Sequence, residues 1–244
     1  MTLRYGVFVG GTPITQDGEP LDELGESLDE PFRDPMTTPW GRTSDRPSLW
    51  KCGHHEFVFL ARHGPQRDIA PHQINYRANV WSMKSLAVDG VIATHTVGSI
   101  DPSLKVGQLI MPNNLIDYTW GRASTFDDRR RHVDFSQPYD ERLQQHIVEL
   151  EPKITVGGIY GVTQGPRLET AAEIQRMARD GCTLVGMTGM PEAGLARELD
   201  IPYVSVCVVV NPAAGVSSEA IDVAALSAAS HAAAGDLKAM LERL

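Results

Sequence analysis

Short apolar runs alternate with stretches of helical period along most of the chain. Residues 3–9 read as a strand running into Gly10-Gly11-Thr12. Residues 56–60 (Glu56-Phe57-Val58-Phe59-Leu60) read as a second strand, delivering Ala61-Arg62-His63-Gly64 into a turn. Residues 76–88 have helical spacing, and Gly90 is placed to end that helix. A strand over 91–94 is followed by His95-Thr96-Val97-Gly98-Ser99, small and hydroxylated residues that suit either close approach to a ligand or simply a Gly-containing turn. Further strands are expected at 106–111 and 114–117, a helix at 139–149, and one strand over 153–163 with Gly157-Gly158 inside it. Thr170-Ala171-Ala172-Glu173 has the spacing of a capping box, opening a helix that runs to about Asp180 and stops at Gly181. Residues 183–187 read as a strand. Met190-Pro191-Glu192 opens a helix, with Pro in its first turn and Glu at the positive end of the dipole. Residues 202–210 form a nearly continuous β-branched run, the pattern of a strand covered on both faces, and 219–243 an Ala-rich terminal helix. Two stretches lack periodicity. Residues 13–47 read as loops with at most an edge strand, and 118–137 as a mobile, solvated loop around Asp127-Asp128-Arg129-Arg130-Arg131-His132.

Alternating strands and helices without repeats predict an α/β fold: a single domain over 1–244 with a central mixed β-sheet flanked by helices. A chain of 244 residues buries a substantial core. The formal charge of -9 argues against a general nucleic-acid binder, so any anionic substrate needs locally concentrated basic residues. Cys52, Cys182 and Cys207 have neither metal-ligand nor redox spacing. No segment has the pattern of a signal peptide, and no run approaches the roughly 20 apolar residues of a membrane span. The expectation is a cytoplasmic protein with no metal and no membrane partner.

The candidate chemistry gathers after strand ends, above all in 163–192 and 209–215 (Val209-Val210-Asn211-Pro212-Ala213-Ala214-Gly215). In open α/β sheets ligands bind outside the carboxyl ends of the strands. Gly10-Gly11-Thr12 suits either an anion cradled by backbone N–H groups or an ordinary tight turn. Arg62-His63 suits a bidentate phosphate contact with an added donor, or a solvated basic turn. Thr170 and Glu173 suit capping alone.

Taken together, Gly10-Gly11-Thr12, Arg62-His63-Gly64, Asn75-Tyr76-Arg77-Ala78-Asn79, Gly165-Pro166-Arg167 and Met187-Thr188 with Pro191-Glu192 resemble the trimeric purine nucleoside phosphorylase family, and more closely its methylthioadenosine phosphorylase branch. The resemblance covers nearly the whole chain. It implies phosphorolysis of a purine nucleoside with phosphate as co-substrate, no cofactor, and a homotrimer. Thr12, Arg62, His63, His95, Thr96 and Thr188 fall at the family's phosphate positions, with His95 where the branch usually carries a hydroxyl. Val97, Gly98, Gly186, Met187 and Ala213 fall around base and ribose. Leu168 replaces the phenylalanine over the base. Val223 stands where inosine and guanosine enzymes carry a histidine for the 5′-hydroxyl, and His132 where the neighbouring subunit caps the 5′ pocket.

The base site departs from the adenine branch. Asn211-Pro212-Ala213 replaces Asp-x-Asp, so the catalytic position holds a neutral amide. An Asn amide donates to O6 and N7 of a 6-oxopurine, although it also pairs with adenine N6 and N7. Glu169 accepts from N1–H, which hypoxanthine has and adenine lacks. With an apolar Val223, these residues point to 5′-methylthioinosine. Methylthioadenosine or inosine/guanosine phosphorylase, a nucleoside hydrolase, and an inactive nucleoside-binding regulator remain as alternatives.

Overall fold

In the computed structural model, the described residues are 2–10, 25–28, 32–126, 132–151, 153–218 and 221–244. Thr12 and the charge run 127–131 lie outside them. The sheet grows from β1 (Arg4–Val9), whose alternate residues serve two cores. Val7 and Val9 face one, with Phe57 and Phe59; Phe8 faces the other, with Val58 and Leu60. Short strands β2 (Glu26–Ser27), β3 (Thr37–Thr38) and β4 (Gly41–Arg42) precede the hairpin of β5 (Ser48–Cys52) and β6 (His55–Ala61). Helix α1 (Tyr76–Ser85) leads to β7 (Gly90–Ser99), β8 (Leu109–Met111) and β9 (Asn114–Asp117). Helix α2 (Glu141–Leu150), β10 (Thr155–Val156) and β11 (Ile159–Val162) follow. The chain continues through α3 (Ala171–Arg179), β12 (Leu184–Gly186), α4 (Glu192–Glu198), β13 (Tyr203–Pro212) and α5 (Val223–Arg243).

The centre of the sheet is parallel, in the order β13-β7-β1-β6. Antiparallel β5 and β8 flank it, so the mixed α/β sheet is as expected. The C-terminal end of β7 also pairs with β12, which brings β11 and β9 into the same sheet. Helices α2 and α5 cover one face, through Leu143, Ile147, Leu237 and Met240. Helices α1 and α4 cover the other, through Val80, Met83, Ala193 and Leu195. No helix among the described residues is long and apolar enough to cross a membrane.

Several boundaries differ from expectation, each for a tertiary reason. Strand β7 does not turn at His95 but continues to Ser99, because β13 pairs with it as far as Ser99 and β12 adds a second partner there. The expected strand over 153–163 breaks at Gly157-Gly158, both at positive φ (131° and 90°). The first helix ends at Ser85 and turns through Ala87, at φ 52°; Gly90 already belongs to β7. Pro191 is the cap residue of α4 rather than part of its first turn. Both bonds of the capping box at Thr170 and Glu173 form as the spacing predicts. The described part of 118–126 packs against the body: Phe126 stacks edge-on against Trp40, and its N–H donates to Glu198.

Candidate active site

Six strands direct their carboxyl ends at one cavity of about 260 Å³. Strand β1 contributes Gly10, β6 His63, and β7 Thr96, Val97 and Gly98. The segment after β11 brings Pro166, Leu168 and Glu169, and β12 brings Val185 and Gly186 with Met187 and Thr188 beyond it. Strand β13 brings Val210 and Asn211, followed by Ala213 and Ala214. The chain entering α5 closes the wall with Ile221 and Leu226. Most residues singled out in the sequence thus converge. The side chain of Val223 lies outside the described residues, and His132 is exposed and borders no part of the cavity.

Asn211 reaches the cavity through a β-bulge. Val209 pairs with Val97 and Asn211 with Gly98, so Val210 is the extra residue and the strand turns at its end. The Asn211 amide donates to the Pro212 carbonyl at 2.6 Å. A carbonyl only accepts, so this contact fixes which side-chain atom is nitrogen and leaves one N–H free.

Arg62 and His95 stand behind the wall rather than in it. Arg62 is fully buried, with Nε and Nη2 each 2.9 Å from a carboxylate oxygen of Glu192. Its Nη1 donates to the Thr94 carbonyl at 2.7 Å, so three of the five N–H donors of a guanidinium are engaged. Tyr203 donates its hydroxyl to Glu192 at 2.8 Å. Gly10 is required by this pair: a Cβ there would lie 2.2 Å from Arg62 Nη1 and 2.5 Å from the Thr94 oxygen. His95 is buried with Nδ1 2.8 Å from Thr188 Oγ1 and Nε2 3.2 Å from Ser205 Oγ. Burial, with the charge of Arg62 and the nearby His63 adding to it, holds His95 well below the usual histidine range. The Tyr203 hydroxyl lies 3.4 Å from Nε2 as well, so a neutral ring carries one proton among three hydroxyls.

His63 is also held below its usual range, first by burial and further by Arg62 and Arg67, while its bond to Ile69 opposes the shift. Its Nδ1 lies 2.8 Å from the Ile69 carbonyl and so carries the proton. In the neutral ring Nε2 is therefore an acceptor.

Sequence reasoning missed Arg122, which sits in a stretch read as solvated loop. Its guanidinium donates to the carbonyls of Thr163, Gln164, Met187 and Met190, to the Gln164 side chain and to the Tyr76 hydroxyl. It therefore ties the segment carrying Leu168 and Glu169 to the segment carrying Met187 and Thr188. Glu192 was also missed as the partner of Arg62; its position in the sequence suggested only a dipole contact. Among the described residues, no group of three or more His, Cys, Asp or Glu side chains could hold a metal.

The family model of the phosphorylase superfamily matches residues 7–244. The chain is similar to the probable S-methyl-5′-thioinosine phosphorylase of Pseudomonas syringae pv. tomato, 43% identical over 97% of this chain and 96% of that one. It is similar to the S-methyl-5′-thioadenosine phosphorylase of Mycobacterium tuberculosis, 42% identical over 74% of this chain and 69% of that one. Among solved structures, methylthioadenosine phosphorylase from Schistosoma mansoni in complex with adenine superposes with a TM-score of 0.88 at 26% identity, covering 99% of this chain and 90% of that one.

Two measurements test this geometry. Both depressed histidines take up protons more readily when unfolded, so the unfolded chain binds more protons below about pH 6.5. Stability is full above that pH and falls as pH drops toward the folded-state values, by up to about 1.4 kcal/mol per unit for each ring. Thermal melting across this range should show the decline, and His95→Gln should flatten it; an unchanged slope would contradict a neutral buried His95. Arg122→Met keeps the stem and removes the donors. It should lower stability by about 2–3 kcal/mol, since hydrogen bonds from a charged donor are the strong ones, and raise the nucleoside KM. Arg122→Lys should restore little, because an ammonium cannot span four carbonyls. Wild-type melting and KM in Arg122→Met would remove Arg122 from the support of the wall.

Proposed function

The chain belongs to the phosphorylase superfamily, and from that premise we propose that it splits 5′-methylthioinosine with phosphate, giving hypoxanthine and 5-methylthioribose 1-phosphate. The carrying observation is that Glu169 and Asn211 border the same cavity as the apolar Ile221 and Leu226. Identity alone does not choose the base, because relatives at 43% and 42% carry the methylthioinosine and methylthioadenosine names respectively. The side chains favour the 6-oxopurine. Glu169 accepts from N1–H of a 6-oxopurine; against adenine it would meet a lone pair, and an unpaired buried polar group costs about 1–3 kcal/mol. The free N–H of Asn211 donates toward O6 and N7. The apolar wall near the start of α5 supports a 5′-methylthio group where inosine has a hydroxyl.

In this reading the C1′–N9 bond breaks first, the base leaves with the electron pair, and a phosphate oxygen bonds to C1′. Asn211 stabilises the charge that builds on the base, an interaction stronger in the transition state than in the substrate. Thr96 and Thr188 hold phosphate. Thr188 donates to it when His95 Nδ1–H donates to Thr188 Oγ1 and Ser205 donates to Nε2. His63 Nε2 accepts from a protonated phosphate oxygen, and Arg62 supplies positive charge from behind Gly10, with two N–H groups left over from its contacts among the described residues. Thr12 completes the set by resemblance. The whole chain acts as one catalytic domain needing no cofactor, in a cytoplasmic homotrimer. Leu168 borders the cavity yet is 42% exposed, which supports a wall completed by a neighbouring subunit, with the neighbour's His132 position at the 5′ end.

The first test is turnover with and without phosphate. Activity should vanish without it, and kcat/KM should favour methylthioinosine over methylthioadenosine by orders of magnitude and over inosine by about 10–100-fold. Thr188→Val should raise the phosphate KM at least about tenfold, the factor for one lost hydrogen bond. It is a better probe than Arg62→Ala, which would strand a buried Glu192 at a cost of about 3–5 kcal/mol. Undiminished activity without phosphate would refute phosphorolysis, and equal or better use of methylthioadenosine would refute the base assignment. Sedimentation should find a trimer, and His132→Ala should raise the nucleoside KM while leaving the phosphate KM unchanged. A fully active monomer would refute the shared site.

A further inference from the structure

Beyond the residues that border substrate, we infer that Thr163 is a positioning residue that sets the base selectivity of the site by fixing the Glu169 carboxylate; this rests on the base assignment above. Thr163 Oγ1 lies 2.5 Å from Glu169 Oε1 and 3.3 Å from the Gly186 carbonyl. A hydroxyl has one proton, and the short contact has the length of a charge-assisted O–H···O bond, so the proton goes to Glu169. The bond comes from outside the nucleoside cavity. Glu169 borders both that cavity and a neighbouring one of about 290 Å³, while Thr163 borders only the neighbour. Thr163 therefore acts through Glu169 and does not touch the nucleoside.

Thr163 is itself held rigidly. Its N–H donates to the Gly186 carbonyl at 2.8 Å, tying it to the end of β12, and its carbonyl accepts from Arg122 at 3.2 Å. With Oε1 taken by this fixed hydroxyl, Oε2 is left with lone pairs only. It pairs with N1–H of a 6-oxopurine and repels the N1 lone pair of a 6-aminopurine. Without the hydroxyl the carboxylate turns freely and no longer holds a fixed acceptor against N1. A hydroxyl in the wall of one cavity thus decides which base the other accepts.

The test compares Thr163→Val, nearly isosteric, and Thr163→Ser in phosphorolysis of methylthioinosine and methylthioadenosine, with melting curves for each. Thr163→Val should lower kcat/KM for methylthioinosine about tenfold, the factor for one lost hydrogen bond. It should shrink the methylthioinosine-to-methylthioadenosine ratio by at least that factor and leave the phosphate KM unchanged. Thr163→Ser should keep the wild-type ratio. In a Glu169→Gln background, Thr163→Val should change the ratio no further. Should the valine variant not fold, Thr163→Ala carries the same comparison. A folded Thr163→Val or Thr163→Ala with the wild-type ratio overturns the inference, as does a Thr163→Ser that loses selectivity equally. A wild-type enzyme that prefers methylthioadenosine overturns instead the base assignment beneath it, and shows this before any variant is made.

Discussion

The buried ion pair of Arg62 and Glu192 is the contact on which the site depends. Both side chains are fully buried, and an unpaired charge there would be severely destabilising, so neither can be absent alone. The pair joins elements far apart in sequence. Arg62 follows β6, Glu192 opens α4, Thr94 lies in β7 and Tyr203 opens β13. Its demand for space reaches β1, where Gly10 leaves room for Nη1. Its charge reaches His95, where it adds to burial in keeping the ring neutral. The electrostatics of the pocket therefore follow from a contact behind it. Beside Gly10 the pocket wall carries the Thr96 and Thr188 hydroxyls and the His63 ring, while the compensated charge of the pair sits one layer back.

Arg122 does the opposite work on the other side of the pocket. Its guanidinium is spread over four backbone carbonyls and stacked on Tyr76. Irregular segments such as 163–169 and 187–190 leave carbonyls without ladder partners, and buried carbonyls need donors. One planar side chain supplies them for both segments. The carboxylate proposed to read the base and the hydroxyl proposed to hold phosphate are thereby set in one frame, on segments with little regular structure of their own.

What was legible in the sequence was what local chemistry decides. The capping box at Thr170, the strand ends at Gly10, His63, Gly186 and Asn211, and the β-branched run of β13 follow from residue type and spacing. What was illegible depends on partners distant in sequence. Arg62 and Glu192 are 130 residues apart, and His95 and Thr188 are 93. Small residues at 95–99 suggested a turn, but pairing with β13 and β12 satisfies their backbone and overrides the local preference. Arg122 was hidden because a polar stretch has the same composition whether it is solvated or spends its donors on carbonyls. For the same reason the sequence does not show that the Ile69 carbonyl takes the Nδ1–H of His63.

The base site shows how geometry sharpens what residue identity leaves open. An Asn amide pairs with either kind of purine, so Asn211 by type alone decides nothing. In place, its orientation is fixed, because the Pro212 carbonyl 2.6 Å away demands a donor. An aspartate at 211 would bring two acceptors face to face across that distance unless it held a proton there. A protonated aspartate would in turn have spent its only donor on Pro212 and would meet N7 with a lone pair. The bulge at Val210 and the following proline therefore favour an amide, which alone has one N–H for the backbone and a second for the proposed contact with the base. The neutral residue suits the local backbone.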